Sequence, residues 1–224
     1  MGLDWRPMGK PKPGYEERHS QIFSIIKGAE KQQALSFLDK LMGKRVPSRE
    51  QLIEEFFDIS VESYKTIKAP RVGYDDVANE WIKLKYAESG KSVSEGEFLK
   101  RHLGYYVIEL AEELDGVPVY IAMFQDKNVF RAKFLDDCKD LIGKKLYNEA
   151  WESKLAGDTL AYGEELMAIA DRIAAEHNLM YIKNERASPD TDEDDLGWKL
   201  HILFAAAKSL IFYGKNGHGY EADF

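Results

Sequence analysis

The sequence predicts a mainly α-helical fold, a single multi-helix domain over residues 1–224 with one short β-hairpin. Three observations support this prediction. Apolar residues recur at three- and four-residue steps through most of the chain, and helix-capping residues precede several of these stretches. Only residues 105–124 are dominated by β-branched and aromatic side chains. We therefore expect an α+β composition by virtue of that hairpin only.

Residues 1–14 are predicted to form an extended arm packed on the body of the protein. Pro7, Pro11 and Pro13 fix backbone angles and remove hydrogen-bond donors, so a helix is excluded there. Trp5 is the largest apolar side chain of the arm, and we expect its burial to anchor the arm. An exposed Trp5 would instead be a natural contact for a partner.

Amphipathic stretches follow the arm. Residues 15–27 and 31–42 are predicted helices, each ended by a glycine. Ser48 and Gln51 form an S-x-x-Q capping box, in which the hydroxyl and the amide bind exposed backbone N–H groups at a helix start. The stripe predicted for the helix behind this box comprises Ile53, Phe56, Phe57, Ser60, Tyr64 and Ile67.

Residues 105–124 admit two interpretations. A hairpin with its turn at Asp115 and Gly116 sets Leu114 opposite Val117 and makes one face wholly apolar. A helix ended by Gly116 is the alternative. The shared face of that helix would comprise Leu99, Leu103, Val107, Leu110 and Leu114. We expect the hairpin and keep the helix as the alternative.

The spacing of apolar residues in the second half of the chain predicts helices. Four apolar side chains share one face that ends at Gly143: Phe130, Phe134, Cys138 and Leu141. A long helix capped by Asp158 is predicted up to His177, with Asn178 placed to close it. Residues 198–213 are apolar nearly all round, which is typical of a helix in the middle of a bundle.

Charge and composition exclude several classes of protein. The net charge is -8, and residues 185–195, predicted to be an acidic surface loop, carry six acids and one arginine. Nucleic acid is not an expected partner, because a phosphate backbone is bound by clustered Lys and Arg. The longest stretch without charged residues, 116–125, is far shorter than the roughly 18 residues of a membrane span. With no targeting segment and only Cys138, which permits no internal disulfide, we expect a cytoplasmic protein.

One group of side chains could line a polar pocket for a small ligand. Tyr105, Glu109 and Tyr120 would share the less apolar face of the hairpin, and Arg131 and Asp136 follow on the next predicted helix. Aromatic walls with a few fixed charges are typical of small-ligand sites. The alternative is that Arg131 pairs with a carboxylate at the surface, which would say nothing about function.

Metal and cofactor sites are not expected. Glu16 and His19 form an E-x-x-H pair, but di-iron bundles need this motif twice, and we expect an ordinary solvated helix start. Asp190, Asp192 and Asp194 resemble the start of a calcium loop that lacks the turn glycine and the closing glutamate. No phosphate-binding glycine motif occurs.

A resemblance to a group of bacterial proteins with no assigned function rests on four strings: LDWRPMGKPKPG-x-E, GYYVIEL, DGVPVY and FRAKFLDDC. It covers the arm and residues 104–138 and implies that the arm and the hairpin are defined features. None of the strings is a catalytic motif, so no activity follows from the resemblance.

The expected function is that of a non-catalytic binding or regulatory protein of the cytoplasm that self-associates. The alternative is an enzyme that acts on a small polar substrate with tyrosine and carboxylate groups near residues 105–140. A deep cleft lined by Tyr105, Glu109 and Arg131 would favour the enzyme, whereas a flat apolar patch would favour the binding protein.

Overall fold

The computed structural model describes residues 2–32, 42, 45–66, 83–95, 98, 113–114, 117–118, 130–185 and 195–224. The chain divides into two compact units, a larger one of Met1–Met8 with Ser63–Phe224 and a smaller one of Gly9–Glu62. The sequence predicts a single domain over residues 1–224. The division arises because the smaller unit buries apolar side chains of its own.

The larger unit is mainly α-helical. Among the described residues its helices include α3 (Ser63–Thr66), α4 (Lys139–Glu149), α5 (Ala156–Glu176) and α6 (Leu196–Lys215), with 3₁₀ turns at Ala132–Cys138 and Met180–Asn184. Residues 83–88 are also helical. Its strands are β1 (Asp4–Pro7), β4 (Glu113–Leu114), β5 (Val117–Pro118) and β6 (Tyr220–Asp223). The predicted fold class, mainly α with a short hairpin, is confirmed. Of the helices in the described residues, none is long and apolar enough to cross a membrane.

Helices α5 and α6 form the centre of this unit. The prediction that the apolar helix lies in the middle is confirmed, since α6 is buried along most of its length. Two glycines let the helices approach closely: a Cβ at Gly163 would lie 2.8 Å from the Leu210 Cβ, and one at Gly214 would lie 2.7 Å from the Leu160 nitrogen. Any larger residue at either position would push the two helices apart.

The boundaries of α4 and α5 follow local signals. Gly143, with φ of 75°, interrupts the helical conformation within α4 at the predicted break. Asn178 adopts a φ of 59° just beyond α5 and closes it as predicted. The N-cap of α5 lies three residues before the predicted one: Leu155 is the N-cap, and Asp158 lies in the first turn, where its charge interacts favourably with the helix dipole.

Strand β1 joins the first residues of the chain to the last ones. It pairs antiparallel with β6, with Trp5 opposite Ala222. Trp5 is 3% exposed, and its indole lies against the rings of Phe130, Tyr162 and Tyr220 at centroid distances of 5.2, 6.0 and 4.9 Å. The partner contact suggested for Trp5 requires an exposed indole, and the structure buries it because these three rings enclose it.

The predicted hairpin is present where the structure describes it. β4 pairs antiparallel with β5, with Leu114 opposite Val117, which is the register that makes one face apolar. The rest of both predicted strands lies outside the described residues. The alternative helix through Leu114 is excluded, because Leu114 is paired in a strand.

The smaller unit packs α1 (Glu16–Ile26) against α2 (Arg49–Asp58), and β2 (Lys10–Pro11) pairs with β3 (Ser60–Val61). The capping box of Ser48 and Gln51 is confirmed. The stripe predicted for α2 is partly wrong: Leu52 and Phe56 are buried, whereas Phe57 is 67% exposed. The helix ends at Asp58, so Ser60 belongs to β3 and Tyr64 to α3, while Ile67 lies outside the described residues.

His19 lies in this unit and corrects a second expectation. Its imidazole is buried and stacks on Phe56 at a centroid distance of 4.1 Å. The expected solvated helix start therefore holds for Glu16, which is exposed, and is wrong for His19. The reason is that His19 lies on the face of α1 that packs against α2.

Replacing Trp5 with Ala is expected to lower the free energy of unfolding by about 3 kcal/mol, because the indole leaves a cavity in the core. Urea-induced unfolding measures the loss. The control variant Trp5→Phe keeps a smaller aromatic ring and loses the hydrogen bond to Ala150, so a smaller loss of about 1–2 kcal/mol is expected. An unchanged unfolding midpoint in Trp5→Ala would show that the arm does not stabilise the larger unit.

Candidate interaction surface

The structure does not bring together the described members of the predicted pocket. Tyr105, Glu109 and Tyr120 lie outside the described residues. Arg131 directly precedes the 3₁₀ turn Ala132–Cys138, and Asp136 lies within it. Each of the two side chains interacts with a different set of charged groups.

Arg131 lies beside a buried carboxylate of the arm. Its Nη1 is 4.0 Å from the Asp4 Oδ1, and Asp4 is 9% exposed. Asp4 lies directly opposite Asp223 across the β1–β6 pair, and Arg6 binds Asp223. Burial raises the pKa of Asp4 although Arg131 and Arg6 oppose that rise. The Asp4 Oδ1 is buried and has no hydrogen-bond partner, which explains why burial dominates.

The carboxylate of Asp136, unlike that of Asp4, is surrounded by hydrogen-bond donors. Its carboxylate accepts hydrogen bonds from the Lys133 ammonium and the Tyr147 hydroxyl, and the Lys139 Nζ is 3.2 Å away. Burial alone would raise the pKa of Asp136, but these three donors together hold it below the ordinary value. Asp136 is therefore ionised at neutral pH and ties two lysines to Tyr147.

Tyr147 begins a row of aromatic side chains on the larger unit. The Tyr147 and Trp151 rings are 6.3 Å apart, and the Trp151 and Phe224 rings are 5.2 Å apart. The Lys139 Nζ lies 4.2 Å from the centre of the Tyr147 ring. We call Tyr147, Trp151 and Phe224 the aromatic row. Phe224 is 65% exposed and the other two rings are partly buried, so the row presents apolar surface to solvent.

Backbone pairing fixes the position of the row. Lys154 and Tyr220 exchange two backbone hydrogen bonds of 3.0 Å, and the Ala222 N–H donates to the Ser153 Oγ at 3.0 Å. The turn that follows α4 is thereby attached to β6. Trp151 in this turn and Phe224 just after β6 are held side by side as a result.

A cavity lies beside strands β1 and β6. It has a volume of about 20 Å³ and is lined by side chains that include Trp5, Thr159, Ser209 and Tyr220. This is room for about one water molecule. The cavity is thus too small for an organic substrate.

Two groups with reactive side chains have structural roles. Cys138 is buried as predicted, and burial raises the pKa of its thiol, which keeps it inert. The His218 Nε2 lies 2.8 Å from the Thr66 Oγ1, and its Nδ1 lies 2.9 Å from the Met8 oxygen. His218 is fully buried, so both ring nitrogens serve the packing of the core. Among the described residues, no three His, Cys, Asp or Glu side chains could hold a metal ion.

Sequence reasoning identified Asp136 but missed the aromatic row. The four-residue spacing of Tyr147 and Trp151 was an available signal, because it places both rings on one helical face. Phe224 could not be associated with them, since the hydrogen bonds between β6 and the turn after α4 are what bring it there.

No protein-family model, no curated protein and no solved structure matches the chain.

Replacing Asp4 with Asn is expected to stabilise the protein at pH 7, by on the order of 1 kcal/mol, because a buried carboxylate without a hydrogen-bond partner is removed. The raised folded-state pKa means that Asp4 opposes folding once the pH rises above the unfolded-state value of 3.8. The gain should therefore disappear near pH 3. Chemical unfolding at both pH values tests this, and a loss of stability at pH 7 would show that attraction by Arg131 outweighs burial.

Replacing Asp136 with Asn is expected to have the opposite effect, a loss of about 1 kcal/mol at pH 7. The lowered folded-state pKa means that this carboxylate stabilises the fold above 3.8 and that its contribution fades as the pH falls through the folded-state pKa. The same unfolding series measures it. Equal stability of Asp136→Asn and wild type at pH 7 would contradict the prediction.

Proposed function

We propose that this protein is a non-catalytic binding protein of the cytoplasm that associates with a second copy of itself through the aromatic row. The observation that supports the proposal is the row itself, three aromatic rings in contact beside the lysines held by Asp136. Aromatic residues are enriched at protein interfaces and account for much of their binding energy. A cytoplasmic location agrees with a single buried cysteine.

The charges at the two ends of the row favour a second copy as the occupant. Lys139 lies over Tyr147 at one end. Exposed Glu152 follows Trp151 and directly precedes Ser153 and Lys154, which are hydrogen-bonded to β6. In a two-fold arrangement each contact occurs twice, so Lys139 of each copy would face Glu152 of the other. Attraction of opposite charges fixes the register of such an interface.

One contact favours an enzyme as the second candidate. The Tyr147 hydroxyl donates to the Asp136 carboxylate, which is a tyrosine–carboxylate pair of the kind the alternative requires. The low pKa of Asp136 weighs against it, because a carboxylate held ionised by three donors is a weak proton acceptor at neutral pH. The binding function is therefore the better supported of the two.

Wild type is expected to form dimers in sedimentation velocity over a concentration series. Trp151→Ala should raise the dimer dissociation constant at least about tenfold, because it removes the central ring of the row. Tyr181→Ala is the matched control, since Tyr181 is also an aromatic residue at the surface, 60% exposed, but lies on the 3₁₀ turn Met180–Asn184 and not in the aromatic row. Wild type that stays monomeric up to about 1 mM, or a control as weak as Trp151→Ala, would contradict the proposal.

Charge reversal tests the arrangement of the copies. Lys139→Glu and Glu152→Lys should each weaken the dimer, and the double variant should recover it, because the pair is restored with reversed polarity. Lys145→Glu on the same helix is the control, since Lys145 pairs with Glu149 and takes no part in the proposed contact between copies. A double variant as weak as the single ones would rule out this pairing.

A further inference from the structure

His19 in the smaller unit is a buried titratable side chain that the proposed function does not use. It is 3% exposed and stacks on Phe56 of α2 with an interplanar angle of 27°. One ring nitrogen is satisfied by a hydrogen bond to the Gly9 backbone. The other, Nε2, is buried and has no hydrogen-bond partner.

This environment accepts the neutral imidazole and opposes the charged one. A protonated ring would carry a second N–H with nothing to accept it and out of reach of water. Burying a charge without a partner is costly. Burial accordingly lowers the pKa of His19, and the hydrogen bond to Gly9 only partly offsets this.

The charged groups of the surrounding elements do not compensate for a proton on His19. These groups are Lys10 on β2, Glu16, Glu17 and Arg18 on α1, and Arg49, Glu50, Glu54, Glu55 and Asp58 on α2. The carboxylates among them are exposed except for Glu55. Arg18 holds Glu55 through two hydrogen bonds of 2.7 and 2.6 Å, so that carboxylate is already neutralised.

We propose that His19 is an acid-sensitive switch: protonation of its imidazole opens the packing of α1 against α2 in the smaller unit. The sensitivity arises from the contact itself, because His19 and Phe56 form a large part of a small apolar interface completed by Ile22 and Leu52. The switch at His19 does not involve any residue of the aromatic row.

The sign of the effect follows from linkage. The folded-state pKa of His19 lies below the unfolded-state value of 6.5, so the stability of the unit is complete above 6.5 and falls as the pH drops below it. The loss continues until the pH reaches the folded-state pKa. The switch therefore operates in mildly acidic solution, where the carboxylates remain ionised.

Hydrogen exchange of the full chain, corrected for intrinsic rates, tests the proposal at pH 7.5 and pH 5. Protection of residues 16–26 and 49–58 should fall about tenfold at pH 5, because the unfolded segment binds the proton more readily than the folded one. Helix α6 is the internal control and should keep its protection. His19→Phe keeps the stacked ring and removes the charge, so its protection should be the same at both pH values.

His177→Gln is the matched control variant, because His177 is exposed at the end of α5; it should behave as wild type. Unchanged protection in wild type at pH 5, or the same loss in His19→Phe, would overturn the proposal. Should His19→Phe fail to fold, the His19 resonance of wild type followed by NMR decides the matter. A titration midpoint at or above 6.5 would exclude the switch.

Discussion

The larger unit depends on the hydrogen bonds that the carbonyl groups at the end of helix α4 accept. The last carbonyls of a helix have no partner within it, and here three aromatic side chains donate to them. The Trp5 Nε1 binds the Ala150 oxygen at 2.8 Å, the Tyr162 hydroxyl binds the Leu146 oxygen at 2.8 Å, and the Tyr220 hydroxyl reaches the Glu149 oxygen at 3.4 Å. Burial raises the pKa of both phenols, so they remain donors throughout the physiological range. One buried site thus combines the apolar area of three rings with the hydrogen bonds that the helix end requires.

This arrangement ties distant parts of the chain together. Trp5 comes from the first strand, Tyr162 from the long helix α5 and Tyr220 from the last strand, so the cluster forms only when all three are in place. The turn after α4 is then attached to β6, and Trp151 is brought beside Phe224. The aromatic row on the surface is consequently a product of the core beneath it. Surface aromatic residues held this firmly lose little entropy on binding, which favours an interface.

Buried ionisable groups show how environment sets their roles. Asp4 and Asp136 are both partly or fully removed from water, yet the pKa of Asp4 is raised and that of Asp136 is lowered. The difference lies in hydrogen bonds, because Asp136 has three donors whereas one oxygen of Asp4 has none. His19 belongs with Asp4, since each retains a buried polar atom without a partner. Such atoms reduce stability at one end of the pH scale and make the local structure respond to protons.

The sequence by itself determined the local elements. The capping box at Ser48, the breaks at Gly143 and Asn178, the central position of α6 and the register of Leu114 opposite Val117 all follow from contacts between residues close in the chain or from the apolar period. Tertiary structure decided the rest. It paired the arm with the last strand, buried His19 and Leu52 while exposing Phe57, gave Arg131 and Asp136 separate partners, and assembled the aromatic row. These outcomes depend on which surfaces of separate segments of the chain meet, and a one-dimensional pattern does not contain that information because hydrophobic burial is non-directional.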